Sequence, residues 1–334
     1  MRNYKNFFNN KTILITGGTG SFGKFFSSYI VQKYKNIKKI IIFSRDELKQ
    51  SEMMAKSNNK KFRFFLGDIR DKNRLETAFN DVDIIVHAAA LKQVPTAEYN
   101  PFEFIKTNVL GTQNIIEAAI NRQVKCVISL STDKASSPIN LYGATKLAAD
   151  KLICAANNIS GSSNIKLSVV RYGNVLGSRG SILDLFIENV KDKKMINITH
   201  EDMTRFNITL GKASEMVEWS ILNCRGGEIF VPKIPSFRIV DMAKAIDSKP
   251  KLNFIGIRAG EKMHEEMISE NDLPLTYDLG KYYAIISQSN TNLYNYYKNK
   301  KKINLDKSYN SKDNQYYLSV NDIKNIIKEY KNYK

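Results

Sequence analysis

Apolar positions in the first half of the chain fall in short continuous runs, separated by stretches with helical spacing. Lys11–Thr16 (KTILIT), Lys39–Ser44 (KIIIFS), Lys61–Leu66 (KFRFFL), Asp83–His87 (DIIVH), Lys125–Leu130 (KCVISL) and Lys166–Arg171 (KLSVVR) lack inside/outside alternation. Such runs predict strands of a sheet covered on both faces. Between them, Gly23–Lys35, Pro101–Arg122 and Leu141–Asn158 carry apolar residues at helical spacing, and Pro101 suits a first helical turn. Strands alternating with helices imply parallel pairing through right-handed crossovers. The predicted fold class is therefore α/β, a Rossmann-type doubly wound parallel sheet. After about residue 175 the rhythm breaks into short strands, such as Gly227–Val231, and helical pieces. This predicts a Rossmann domain over 1–175 and a smaller C-terminal substrate-binding lobe over 176–334, with room for the chain to cross back to the core. From about Ser287 the tail is rich in Asn, Lys and Tyr and carries little functional signal.

The stretch Thr16–Gly23 (TGGTGSFG) joins the first strand to the first helix. Glycines at 17, 20 and 23 permit a tight turn and close approach of backbone to a pyrophosphate. Thr19, Ser21 and Phe22 fill the frame where a helix N-terminus presents N–H groups and partial positive charge. A dinucleotide site is expected here. Arg45, beside Ser44 at the end of the second strand, favours NADP, because an Arg at that place meets a 2′-phosphate. Its plain alternative is a surface pair with Asp46. Asp68, followed by Ile69, is expected either against the adenine or as a helix N-cap. Ala88, Ala89 and Ala90 end the fourth strand with small residues over which a cofactor could lie, and His87 before them reads as structural.

Tyr142 and Lys146 stand four apart near the start of a predicted helix, on one face. A nearby ammonium depresses the pKa of a phenol and makes the phenolate a usable base. The alternative is a surface pair, but the position follows the fifth strand, at the ligand-binding end of such a sheet. Just upstream, Thr132, Asp133 and Lys134 place three proton-handling side chains in a row, which a solvated turn would also accommodate.

Composition changes the picture little. The formal net charge is +18, but Lys and Asn are spread along the whole chain and no basic motif with a reading element accompanies them. No specific nucleic-acid partner is expected. Three cysteines without a C-x-x-C pair suggest reduced thiols rather than a disulfide framework. No apolar run approaches the roughly 20 residues of a membrane span, and the N-terminus Met1–Lys11 is polar, so no membrane insertion and a cytoplasmic location are expected. His264 lies near Glu261 and Glu265 without a familiar ligand spacing, so no metal is expected.

With these motifs in place, the chain resembles the extended short-chain dehydrogenase/reductases, and more closely the inverting UDP-N-acetylglucosamine 4,6-dehydratases of the pseudaminic acid pathway. The resemblance is carried by TGGTGSFG (Thr16–Gly23), SRDELKQ (Ser44–Gln50), GDIRD (Gly67–Asp71), HAAALKQVPTAEYNP (His87–Pro101), KTNVLGTQN (Lys106–Asn114), STDKA (Ser131–Ala135), NLYGATK (Asn140–Lys146), RYGNVLGSRGS (Arg171–Ser181), MTRF (Met203–Phe206), GGEIFVPKIPS (Gly226–Ser236) and IGIRAGEKMHE (Ile255–Glu265). The family's pattern has small departures at Gln93 and Ala259. The resemblance implies a bound NADP that is regenerated in each turnover, a UDP-N-acetylglucosamine substrate and a homo-oligomer. It implies that Tyr142, helped by Thr132 and Lys146, deprotonates the C4 hydroxyl. It makes Lys134, in a neutral form, the base at C5, and a protonated Asp133 the acid at the C6 hydroxyl. Asn108 is expected to order Lys146 through water. Lys92 is expected to line the substrate, and Asn174, Arg205, Arg258 and Glu261 to meet the UDP and sugar groups.

Overall fold

A computed structural model of the chain describes residues 6–57, 59–161, 163–178 and 180–333. The start of the polar N-terminus and Arg179 of the Arg171–Ser181 stretch lie outside it.

The apolar runs form strands close to their expected bounds: β1 Thr12–Thr16, β2 Lys39–Ser44, β3 Phe62–Leu66, β4 Ile84–His87, β5 Cys126–Thr132 and β6 Lys166–Tyr172. They pair in parallel in the order β3-β2-β1-β4-β5-β6, and Ile229–Pro232 adds a seventh parallel strand beside β6. Tyr282–Ile285 and Thr276–Asp278 then close a nine-stranded sheet in antiparallel fashion. Helices cover the sheet, so Ile13, Leu14, Ile15, Val127 and Ile128 have no solvent exposure. That burial explains why their strands show no alternation.

Chain order reverses between β1 and β4, whose neighbours run outward in opposite directions. Ligands bind such sheets at this switch point, at the carboxyl ends of the strands. In register, Thr16 lies beside both Phe43 and His87, so the glycine loop, Ser44–Arg45 and Ala88–Ala90 leave the sheet at one edge. β5 runs two residues further than expected, placing Ser131 and Thr132 within the strand, paired to Arg171 and Tyr172. The helix expected over Pro101–Arg122 comprises an α-helical turn Pro101–Phe104, a wider π-helical stretch Ile105–Leu110 and an α-helix Gly111–Asn121. Asn108 sits in the π stretch, a geometry common at functional sites.

The chain beyond residue 175 serves two cores. Leu210–Asn223 packs on Ser21–Lys33, and its Trp219 meets Phe230 edge-on at 5.2 Å, so this part completes the main sheet's cover. A second apolar cluster gathers Leu183, Phe186, Ile198, Phe237, Met242 and Ile323, drawn from helices Ile182–Lys191, Ile239–Ile246 and Val320–Tyr333 and the small strands between them. The thiols of Cys126 and Cys224 approach to 3.6 Å in the buried core without forming a disulfide. Among the described residues no helix is long and apolar enough to cross a membrane.

Candidate active site

The glycine loop folds down on the end of β4. Gly17 has φ +64°, and a Cβ there would lie 2.9 Å from the backbone of Ala89, so only glycine fits. Gly20 caps helix Ser21–Lys33 with no side-chain bond, and no acidic residue occupies the first turn. The helix end is thus uncommitted to a protein carboxylate, and the residues present fit a diphosphate. Beneath the loop runs a relay of buried polar groups. The Ala89 amide donates to Thr16 Oγ1 (3.3 Å), which lies 2.8 Å from His87 Nδ1. His87 Nε2 lies 3.2 Å from Thr112 Oγ1, whose hydroxyl donates to the Asn108 carbonyl. Thr112 therefore accepts from His87, which assigns the proton to Nε2. Burial first, and Lys146 second, push His87 down to about 3, so it is a neutral structural group, as its sequence context suggested.

At the end of β2, exposed Arg45 reaches Asp68 at 3.4 Å. Asp46 caps helix Glu47–Ala55 and binds Lys49. Ser44 is held by Gln50, which bonds its hydroxyl and carbonyl at 3.0 Å. Asp68 is not a helix cap, because Asp71 caps Lys72–Ala78; Asp68 instead accepts from the Arg70 amide (2.9 Å). Ile69 is buried, and its carbonyl is held by Asn114. Arg45 and Asp68 therefore flank the outer lip of the cradle, while Ser44 and Ile69 support it.

The catalytic candidates gather where β5 ends. Thr132 caps a short 3-10 turn, Asp133–Ala135, and Asn140 caps helix Leu141–Ile159 by accepting from the Gly143 amide at 2.8 Å. Turn and helix touch so closely that a Cβ on Gly143 would lie 2.3 Å from the Lys134 carbonyl oxygen. This contact brings Tyr142 into the same electrostatic neighbourhood as Asp133 and Lys134. Burial pushes the Tyr142 phenol up to about 12, while Lys134 and the Thr132 hydroxyl draw it down. Lys134 is thus a cation that favours the Tyr142 phenolate. Lys146 is buried, which lowers its pKa, and its ammonium donates to the Leu130 carbonyl at 2.8 Å. Asn108 holds the loop after β4 from the π-helical stretch. Its amide clamps the Leu91 backbone by two 2.9 Å bonds and donates to Thr145 at 3.1 Å.

Asp133 has no solvent exposure. Its Oδ1 accepts from Thr132 (3.0 Å) and Lys134 (3.1 Å), while Oδ2 has no partner. Burial raises its pKa against the pull of Lys134, and the Glu265 carboxylate raises it further. Lys134 departs from expectation. Burial works against its charge, but Asp133 and Glu265 outweigh burial and hold the ammonium above its ordinary value. The neutral amine required of a base is not the resting form. Asp133 contributes most, and Glu265, which was not among the expected site residues, adds to it with its Oε1 2.8 Å from Lys134 Nζ.

Of the expected substrate residues, Arg205 and Glu261 are turned inward. Arg205 donates to the carbonyls of Thr204 (2.7 Å) and Met263 (3.1 Å) and lies 3.4 Å from Glu261 and 3.7 Å from Glu265. Glu261 also holds exposed Arg258 by two contacts, at 2.9 and 3.1 Å. Buried charge is retained only where it is paired, and these pairs hold both side chains against the loop. Gly260 of that loop accepts from Asn140 at 2.7 Å, which ties Arg258 to the start of the catalytic helix. Lys92 lies exposed in the loop after β4, and Asn174 pairs beside Asn207 in a two-residue strand. Glu266 accepts from both Ser136 and Ser137, and Lys262 donates to the Ser136 carbonyl, so residues 260–266 wrap the catalytic turn. Below it, Asp150 accepts from Ser131 and pairs with Arg171 in a fully buried contact. Among the described residues no group of three or more His, Cys, Asp or Glu is placed to hold a metal.

Residues 13–287 match the family described as "Polysaccharide biosynthesis protein". A Campylobacter jejuni UDP-N-acetylglucosamine 4,6-dehydratase (inverting) is 54% identical over 279 residues, 83% of each chain. A Rickettsia felis UDP-glucose 4-epimerase is 43% identical over 328 residues, 96% of each chain. Among solved structures, that of Pen from Bacillus thuringiensis superposes with a TM-score of 0.88 at 35% identity, covering 97% of this chain and 99% of that one.

Proposed function

The chain belongs to the polysaccharide biosynthesis protein family, and we propose that it is an NADP-dependent UDP-N-acetylglucosamine 4,6-dehydratase that inverts C5. The product would be UDP-2-acetamido-2,6-dideoxy-β-L-arabino-hex-4-ulose, the first intermediate of a pseudaminic acid-type sugar. The observation that carries this reading is Asp133: a carboxyl with no solvent exposure, one unpartnered oxygen and a raised pKa, adjoining Lys134 and Tyr142. Epimerisation at C4 needs one proton-handling group there. Loss of water needs an acid and a second base as well, and this site supplies all three.

A nicotinamide dinucleotide seated in the glycine cradle would accept hydride from C4 and later return it to C6. Gly17, Thr19, Gly20, Ser21, Phe22 and Gly23 would hold its diphosphate, Arg45 the 2′-phosphate, Asp68 and Ile69 the adenine side, and Ala88–Ala90 the passage to the nicotinamide. Tyr142, once ionised, takes the C4 hydroxyl proton. The ketone formed at C4 acidifies the C5–H bond. Lys134, after losing its own proton, takes the C5 proton, and the electron pair moves into the C5–C6 bond as the C6–O bond breaks. Asp133 gives its proton to that oxygen, which leaves as water. Reprotonation of C5 from the opposite face inverts the centre. Lys92, Asn174 and Arg258 border the substrate side, with Arg258 suited to the diphosphate; Arg205 and Glu261 hold Arg258 in place.

The test is proton NMR of the purified enzyme with UDP-N-acetylglucosamine in deuterated water, with no cofactor added. A 6-deoxy-4-keto product deuterated and inverted at C5 supports the reading. A retained C5 gives a retaining dehydratase. A C4 epimer gives the second reading, which the similarity to the protein named UDP-glucose 4-epimerase favours. No conversion, even with NADP added, rejects this substrate.

A further inference from the structure

The tail that carries no functional signal in the sequence reaches the catalytic turn. Tyr309–Asn310 pairs antiparallel with Glu266–Ile268. Ser311, with no solvent exposure, brackets Glu265: its amide donates to the Glu265 carbonyl at 2.7 Å, and its hydroxyl accepts from the Glu265 amide at 2.9 Å. The same hydroxyl meets Thr204 Oγ1 at 2.7 Å, next to Arg205. Glu265 is thereby fixed with one carboxylate oxygen on Lys134 and the other, Oε2, buried without a partner. An unsatisfied buried carboxylate oxygen costs stability, so packing alone gives no account of a glutamate here.

We propose that Glu265 is a positioning residue for the C5 proton transfer: held by the C-terminal segment, it places Lys134 and sets the pH at which Lys134 becomes a base. The inference rests on the dehydratase reading of the site. The charged and titratable groups facing the pair are Asp133 (3.1 Å from Lys134), Arg205 (3.7 Å from Glu265), Lys262 and Tyr142. Arg205 and Lys262 favour an ionised Glu265. Removing the Glu265 charge leaves Lys134 with Asp133 alone and exposes it to the repulsion of Arg205. Both changes make the ammonium release its proton at lower pH.

The experiment measures the pH dependence of Lys134 acetylation by acetic anhydride, read by mass spectrometry of the tryptic peptide, alongside the pH profile of kcat on UDP-N-acetylglucosamine. In E265Q the labelling midpoint and the acid limb of kcat should both fall by about one pH unit or more, the size expected when an adjacent opposite charge is lost. E265D, which keeps the charge but withdraws it by one methylene, should lie between E265Q and the parent. If E265Q does not fold, E265D decides, and a midpoint equal to the parent's overturns the proposal. Unmoved labelling in a folded E265Q also overturns it. A shifted labelling midpoint in an enzyme with no activity on UDP-N-acetylglucosamine upholds the role of Glu265 in setting Lys134 and rejects the dehydratase reading separately.

Discussion

The nucleotide cradle and the catalytic turn sit at the same edge of one sheet but are assembled over different distances along the chain. In the cradle, Ser44 is held by Gln50 six residues away, Arg45 by Asp68 twenty-three away, and Thr16 by His87 seventy-one away. Around the turn, Ser136 finds Glu266 across 130 residues, and Asn140 finds Gly260 across 120. The cradle is made by backbone geometry, which a glycine pattern records directly. The turn is made by charge, and its charge balance is set in part by side chains that its own sequence does not contain. If this division holds, damage to the turn removes chemistry and leaves cofactor binding, whereas damage to the cradle does the reverse.

The largest effect expected is for Lys134→Ala. Dehydration should fall by up to about 10⁴-fold, the range of a lost general base, while fluorescence titration with NADPH shows unchanged affinity. Retained turnover would remove Lys134 from the mechanism, and lost NADPH binding would break the separation of the two regions.

His87 probes the boundary between them, since its relay starts at the cradle and ends on the Asn108 carbonyl. The folded protein keeps His87 neutral down to about pH 3, whereas an unfolded chain protonates it near 6.5. Between those values the unfolded state binds more protons, so stability falls as pH drops through this window and is fully present above it. At about 1.4 kcal/mol per unit, the loss from pH 7 to pH 4 is about 3 kcal/mol. Denaturant titrations should show this slope, and it should flatten in His87→Gln.

Next comes Gly17→Ala. An alanine at φ +64° that also presses on Ala89 should cost about 1–3 kcal/mol of stability. It should lift the loop and weaken NADPH binding more than it slows the chemistry of whatever cofactor remains bound. Equal losses in kcat and affinity would mean that the loop also orders the catalytic turn.

The same contrast explains what was legible beforehand. β1–β6 could be read because strands buried on both faces leave unbroken apolar runs. Tyr142, Lys146, Asp133 and Lys134 could be picked out because they cluster on a strand end and the helix that follows. The protonation of Lys134 could not be read. It depends on Asp133 and on Glu265, which lies beside a strand pair with the C-terminal segment and more than a hundred residues from the turn in sequence. The pairing of Arg205 with Glu261 could not be read either, because the two lie 56 residues apart and only the fold brings them together. The two residues by which β5 overran its expected end, Ser131 and Thr132, are polar, and their burial comes from β6 and Asp150 rather than from hydrophobicity.

Cofactor choice gives the smallest expected effect and the sharpest check on the cradle's locality. Arg45 is the one cation in the strand-end sequence Ser44–Asp46, and it contacts Asp68 at 3.4 Å with both side chains partly in solvent. Exposed pairs of this kind contribute little, so releasing Arg45 to a 2′-phosphate costs the protein about 0–1 kcal/mol. A charge-assisted bond gained in exchange exceeds that cost. Arg45→Ala should therefore weaken NADPH by about tenfold, a change of roughly 1.4 kcal/mol, while leaving NADH affinity and the fold unchanged. Parallel titrations with the two cofactors measure the ratio. If both weaken equally, Arg45 supports the pocket rather than the phosphate. If neither changes, selection lies with residues beyond the strand end, and the cradle depends on distant chain as the catalytic turn does.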